Sequence, residues 1–222
     1  MCSIFAVAVG VTLATAEPIT LPPPDLAGGI SLNTALAHRR SVREYADPRL
    51  SPDDLGALLW AGQGITSPEG FRTAPSAGGL YPLTLYVATR AVEGLGAAVY
   101  RYDPEVHALT LTREPFVPLA LWAASLQQEP LRQAPAVIVV AGAVERTAAK
   151  YGDRARQYML IEAGHAAQNI LLEAAALGLA AVPVGAFYEG HAKEALGITE
   201  EPLLLIPVGK ARGGLSPNGE GE

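Results

Sequence analysis

The longest stretch of helical periodicity runs from about Arg154 to Leu177 and is ended by Gly178. Its apolar positions Met159, Ala163, Ala166, Ile170, Ala174 and Leu177 recur every three or four residues, the repeat of one helix face. Leu160, Leu171 and Leu172 fall off that stripe, so the helix is apolar nearly all round. Such a helix belongs inside a core or a subunit interface, and its alanines let a neighbour approach closely. Any fold for this chain must cover that rod on most sides, with its own layers or with a second subunit.

The remaining pattern supplies the layers. Leu83–Thr89 alternates like a strand, and Ala97–Tyr102 and His107–Thr112 flank an Asp103-Pro104-Glu105 turn as a hairpin. The β-branched run Ala134–Ala141 suits a strand buried on both faces. Ala180–Val184 and Leu203–Val208 read as two more short strands. Helices are expected from Ser31 to about Arg40 and from Pro118 to Leu126. Another begins at Ser51, where a capping serine precedes Pro52 and Asp54 fills the acidic capping-box position; Gly62 and Gly64 end it. Helices and strands are mixed and a hairpin sits among the βα units, so the class is α+β. At 222 residues, half of them hydrophobic, the chain suits one compact domain with a sizeable core. Residues 1–30 form a Pro- and Gly-rich lead-in, 31–212 the domain, and 213–222 a flexible tail.

Several function classes are excluded at this level. A net charge of −6 argues against nucleic-acid binding, which needs a basic surface. The single cysteine, Cys2, leaves no disulfide framework, and His38, His107, His165 and His191 lack zinc-ligand spacing, so no metal is expected. The apolar run Ile4–Ala14 is too short to span a membrane, and no other stretch reads as transmembrane. Ala14-Thr15-Ala16 resembles a cleavage site, yet no Lys or Arg precedes Arg39 as a signal peptide would require. A cytoplasmic protein is therefore expected, with export the alternative should residues 1–16 act as a signal segment.

Against this acidic background two basic clusters stand out. In Arg39-Arg40-Ser41-Val42-Arg43, an extended chain would turn Arg39, Ser41 and Arg43 to one side. In Lys210-Ala211-Arg212, just after the last strand, the same period aligns Lys210 with Arg212. Two such combs facing each other would suit a phosphate dianion; apart, they are solvated patches, one of them at a helix C-terminus. The loop 72–82, with Ser76, Ala77, Gly78, Gly79, Leu80 and Tyr81, is small enough for backbone to meet a flat ligand, though it carries no GxGxxG pattern. Val184-Gly185-Ala186 is a similar strand end.

Five segments in order, RRSVREY (39–45), LLWAGQGI (58–65), RTAPSAGGLYPLTLYV (72–87), the stretch 150–187 beginning KYGDRARQYM, and LLLIPVGKARG (203–213), resemble the nitroreductase family over residues 30–212. The match is closest to its azoline-dehydrogenase branch, often called SagB-type. That resemblance implies a three-layer α/β/α sandwich with a mixed or antiparallel central sheet, an intertwined homodimer and bound FMN. It implies that the combs hold the FMN phosphate, that Arg43 lies near the flavin N1–C2=O edge, where negative charge develops, and that Ser76–Tyr81 meets the pyrimidine side. Backbone at Val184, Gly185 and Ala186 would lie near N5, and Lys150-Tyr151 would take a proton during ring oxidation. Small-molecule substrates are implied, with NAD(P)H as donor if the enzyme is a nitro or quinone reductase. Absence of a further peptide-recognition domain speaks against a ribosomal-peptide substrate. The rival reading is a flavin or small-molecule carrier without turnover. Four charged hydrogen bonds to phosphate contribute about 6–12 kcal/mol, against about 4–15 kcal/mol for immobilising a ligand, so ring burial must add the rest.

Overall fold

The computed structural model describes residues 17–46 and 49–213. Strands β1 (Ile19–Thr20), β2 (Leu83–Thr89), β3 (Val99–Asp103), β4 (Ala108–Arg113), β5 (Ala136–Gly142), β6 (Leu179–Ala181) and β7 (Glu201–Lys210) form one sheet, ordered β1-β4-β3-β2-β5-β7-β6. Each neighbouring strand pair is antiparallel. The helices are α1 (Leu32–His38), α2 (Pro52–Gln63), α3 (Pro118–Ala124), α4 (Glu129–Gln133), α5 (Glu145–Tyr151), α6 (Ala155–Ala176) and α7 (Glu189–Leu196).

Alternation along the central strands builds the two cores. Leu85 and Val87 of β2 with Ile138 and Val140 of β5 face α2 and α6. Their neighbours Tyr86, Ala88, Val137 and Val139 face α3 and α7 on the other side. The result is the α/β/α sandwich, and β5, buried at every position, runs through its middle. Close packing of α2 on α6 requires Gly62, where a Cβ would come within 2.9 Å of Ile170 Cδ1 and 3.0 Å of Leu85 Cδ1. The Ser51 cap forms as expected, its Oγ accepting the Asp54 N–H at 3.1 Å.

Three short helices, α4, α5 and α7, carry too few large apolar residues to announce themselves. The buried face of α7, for example, is Ala192, Ala195 and Leu196. The strand expected over 180–184 is shorter: β6 stops at Ala181, and Val184 returns only as an isolated bridge to Leu205. Pro183, which has no N–H to donate, lies between them. The lead-in is docked at residues 19–21, where β1 pairs with β4 and Leu21 donates to the His107 carbonyl at 3.0 Å. Residues 1–16 and the tail beyond Gly213 lie outside the described residues.

The chain covers α6 only in part. Met159, Ala163, Ala166, Ile170 and Ala174 are buried, but Gln157, Leu160, Ile161, Gly164, His165 and Gln168 form an open stripe. No helix among the described residues is long and apolar enough to cross a membrane.

Candidate functional site

The sheet has two ends, and the chemistry-bearing segments divide between them. At one end β2 finishes at Thr89, β5 starts at Ala136 and β7 passes Val208. Here both basic combs arrive. The chain leaving α1 runs beside β6 and β7: Val42 N–H donates to the Ala181 carbonyl at 3.0 Å and Ala46 N–H to the Lys210 carbonyl at 2.8 Å, while Tyr45 bridges Ala211. Val42, Tyr45, Ala180 and Ala211 pack together, which leaves Ser41 and Arg43 exposed. Residues 44–46 thus lie beside 210–212, and the two clusters, far apart in sequence, arrive at the same end of the sheet.

The individual cations are differently engaged. Arg40 turns back on α1 and donates from Nη1 to the Ala37 and Arg39 carbonyls, both at 2.8 Å. That guanidinium satisfies the helix end, the capping role open to this cluster from sequence. Lys210 Nζ is held by Asp54 Oδ2 at 2.6 Å, from the first turn of α2. Arg212 meets Glu44 loosely at 4.0 Å, with both side chains mostly exposed. Arg43 Nη1 donates to the Ser41 carbonyl at 3.3 Å.

At the other end β2 starts at Leu83, β5 ends at Gly142 and β7 starts at Glu201. The loop 72–82 and the Lys150-Tyr151 pair meet here. Ala77 N–H donates at 2.8 Å to Oε1 of Glu162, a carboxylate only 4% exposed on α6. Tyr81 N–H donates to Ser76 Oγ at 2.9 Å, and Asn169 Nδ2 donates to the Thr73 carbonyl at 3.1 Å. Gly78 adopts a φ of +65°, and a Cβ there would fall 2.7 Å from Lys150 Nζ and 2.8 Å from the Tyr151 hydroxyl. One glycine therefore touches both polar ends of the pair. Tyr151 is set at the end of α5 and stacks edge-on against Tyr158 at 5.0 Å. Arg156 is drawn to Glu201 and Arg154 lies over the Tyr158 ring, so each of these cations has its own partner.

Val184 lies between the ends, its N–H and carbonyl both paired with Leu205 at 2.8 and 3.0 Å. The Ala186 carbonyl accepts from Gln128 Nε2 at 2.9 Å, whereas Gly185 is exposed. The two ends are separated by the length of β5, roughly 20 Å at about 3.4 Å per residue. The expected site residues consequently form two groups within one chain, the combs in one and the loop with Lys150-Tyr151 in the other.

Comparison with known proteins decides the family. The model for the nitroreductase family matches residues 36–210. The chain belongs to the nitroreductase family. A Methanocaldococcus jannaschii protein named as a candidate nitroreductase is 45% identical over 181 residues, covering 82% of this chain and 91% of that protein. The crystal structure of a candidate nitroreductase from Ralstonia eutropha superposes with a TM-score of 0.74 at 31% identity, covering 88% of this chain and 90% of the other. Another, from Desulfovibrio desulfuricans and solved in complex with FMN, shares the fold with a TM-score of 0.59 at 23% identity, over 82% and 87% of the two chains. Membership makes the protein an oxidoreductase by family.

Within this nitroreductase-family chain, three residues at the two ends escape a motif reading. Glu162 anchors the loop; its sequence signal is a carboxylate on the buried stripe of α6, between Met159 and Ala163. Asp54 is read from sequence as a capping acid, but its side chain holds Lys210, 156 residues away. Arg72, at the head of the loop, lies 4.5 Å over the Tyr81 ring and donates to the buried Gln63 Oε1 at 2.8 Å. Among the described residues no group of three His, Cys, Asp or Glu side chains could hold a metal ion.

Proposed function

We propose that this protein is an FMN-dependent oxidoreductase that works as a homodimer on small-molecule substrates. The observation that carries the reading is the pairing of residues 44–46 with 210–212 and of Val42 with Ala181, which brings the 39–43 and 210–212 clusters to the same end of the sheet. Arg39, Ser41, Lys210 and Arg212 are suited to a phosphate dianion, with Arg40 kept at the helix end. Lys210 and Arg212 then exchange Asp54 and Glu44 for the phosphate oxygens. The fit extends to the loop, where Gly78 and Gly79 have positive φ and a Cβ at Gly79 would meet nothing within 4 Å, leaving room beside the backbone for a planar ring.

Bound FMN supplies a ring that accepts and returns two electrons as hydride. The chain's own residues do the rest. Arg43 carries a fixed positive charge beside the combs, suited to the electron-rich edge of the ring. Gly185 and the neighbouring backbone of Val184 and Ala186 offer a surface for the opposite edge. Loop Ser76–Tyr81 covers the ring and excludes water. Because the loop and the combs sit at opposite sheet ends in one chain, the loop over a given set of combs comes from a second copy. The open stripe of α6, with Leu160, Ile161 and Gly164, suits that copy.

Lys150 Nζ and the Tyr151 hydroxyl, both against Gly78, are positioned to pass a proton to or from substrate as hydride moves. That arrangement favours oxidation of an azoline-like ring; reduction of a nitro group or quinone would instead begin with NAD(P)H. Purified full-length protein should be yellow, and anaerobic NADPH or NADH separates the two directions by whether it bleaches the colour. Arg39→Ala should lose most of its flavin, while Tyr151→Phe should retain flavin and turn over at least tenfold more slowly. A colourless wild type, or full flavin content in Arg39→Ala, would overturn the reading.

A further inference from the structure

A small cavity of about 230 Å³ opens between the start of β2 and the β3–β4 hairpin. Arg72, Arg101 and Arg146 line it together with Tyr102. We infer that this cavity is an oxyanion pocket, which seats the carboxylate or phosphate group of a ligand on those three guanidinium groups. The chain carries a net charge of −6, so a concave surface with three arginines runs against the background.

Arg72 is the centre of the case. Its guanidinium is half-buried, fixed from below by the Tyr81 ring and at one side by Gln63, and among the described residues no carboxylate lies within ion-pair distance of it. Burial lowers its pKa, Tyr81 opposes that, the nearby Arg146 charge lowers it further, and the Glu105 carboxylate and Tyr102 offset part of the fall. A desolvated cation facing a second cation is a costly arrangement that an anion relieves. Arg146 is only loosely held, with Nη1 3.4 Å from Thr84 Oγ1 and Nη2 3.9 Å from Glu200 Oε1. The Tyr86 hydroxyl at 2.8 Å and the Thr199 hydroxyl at 2.9 Å both donate to Glu200 Oε2, while Oε1, which faces Arg146, accepts from Thr84 Oγ1 at 3.5 Å. Arg101 is exposed on β3, opposite Tyr86, and pairs with no acid among the described residues.

Asp103 and Glu105 also line the cavity, leaving the cations one in excess. Neither forms an ion pair with the arginines, and Asp103 Oδ1 already accepts the Glu105 N–H at 3.0 Å. The volume suits a carboxylate or phosphate head with the rest of the ligand outside. Its direction is set by α5: Arg146 and Lys150 are four residues apart and share a helix face. A ligand anchored at Arg146 therefore extends toward Lys150 and Tyr151. The pocket stands without the flavin; its use as a substrate anchor rests on the function proposed above.

Calorimetric titration of the full-length protein with 4-nitrobenzoate and separately with inorganic phosphate tests the inference, with uncharged nitrobenzene as control. Arg101→Gln changes an exposed position and should fold normally; Arg72→Gln is the stronger perturbation. Each should weaken binding of the seated anion about 10- to 100-fold and leave nitrobenzene unaffected. Arginine-dependent binding of 4-nitrobenzoate alone assigns a carboxylate ligand, and of phosphate as well, a phosphate ester. Failure of both anions to bind, or unchanged affinity in Arg101→Gln and Arg72→Gln alike, overturns the pocket. A colourless protein that still binds through Arg101 would keep the pocket and remove the flavin reading.

Discussion

Gly78 and Gly79 offer a matched pair of substitutions that isolates the contact between the loop and Lys150-Tyr151. Both residues have left-handed backbone, φ +65° and +67°, so alanine at either incurs a similar conformational penalty of roughly 1–2 kcal/mol. For a chain of this size that lowers Tm by about 2–8 °C in each variant. The steric consequences differ. At Gly79 a Cβ meets nothing within 4 Å, whereas at Gly78 it intrudes to 2.7 Å from Lys150 Nζ and 2.8 Å from the Tyr151 hydroxyl. The Lys150 ammonium can swing away at little cost. The Tyr151 ring must tilt against Tyr158, whose edge-on contact at 5.0 Å fixes it. Ordinary contact needs about 0.6 Å more room, and misplacement of about 1 Å in a reacting group can cost on the order of a hundredfold in rate. The expected result is a lower Tm in both variants, by more in Gly78→Ala, and a kcat per bound flavin lower by at least about tenfold in Gly78→Ala alone. A Cβ at Gly79 enters the space proposed for the ring and reduces flavin content instead. Scanning calorimetry, the flavin absorbance ratio and steady-state turnover measure the three quantities. Equal kcat in the two variants would refute the idea that this contact positions the proton-transfer pair.

Two further predictions concern stability. Ser51→Ala removes the cap of α2 and should cost about 1 kcal/mol in urea unfolding, with Ser51→Gly losing less. Glu200 is half-buried; burial by itself raises its pKa, but hydrogen bonds from Tyr86 and Thr199 and the Arg146 charge bring it below its ordinary value of 4.5. A folded-state pKa below the unfolded value contributes stability above the carboxylate range and loses it as pH falls through the folded value. The denaturation midpoint of Glu200→Gln should therefore fall below wild type at about pH 7 and converge with it at about pH 3; a constant difference across that range would contradict the assignment.

The layers of the fold were legible because each rests on local physics. Strand Leu83–Thr89, the Ser51 cap and the helix ending before Gly178 follow from alternation, capping chemistry and a glycine stop, none of which needs a distant partner. Elements α4, α5 and α7 were not, since short helices owe their stability to packing rather than to their own sequence. The residues of the candidate site were also largely visible, as basic pairs at two-residue spacing and a small-residue loop. Arg72 was visible as a letter but not as a half-buried cation over Tyr81, because burial belongs to the assembled fold.

By itself, then, the sequence determined which segments become strands and helices and which carry charge. Tertiary structure decided which charges remain free. It brought 44–46 alongside 210–212, gave Lys210 to Asp54 across 156 residues, and turned Arg40 back onto its own helix. It also carried the loop to the opposite end of the sheet and set Gly78 against Lys150 and Tyr151. The physical reason is that antiparallel strands alternate in direction, so the end of the sheet at which a loop emerges depends on pairing and topology, which no local stretch of chain encodes.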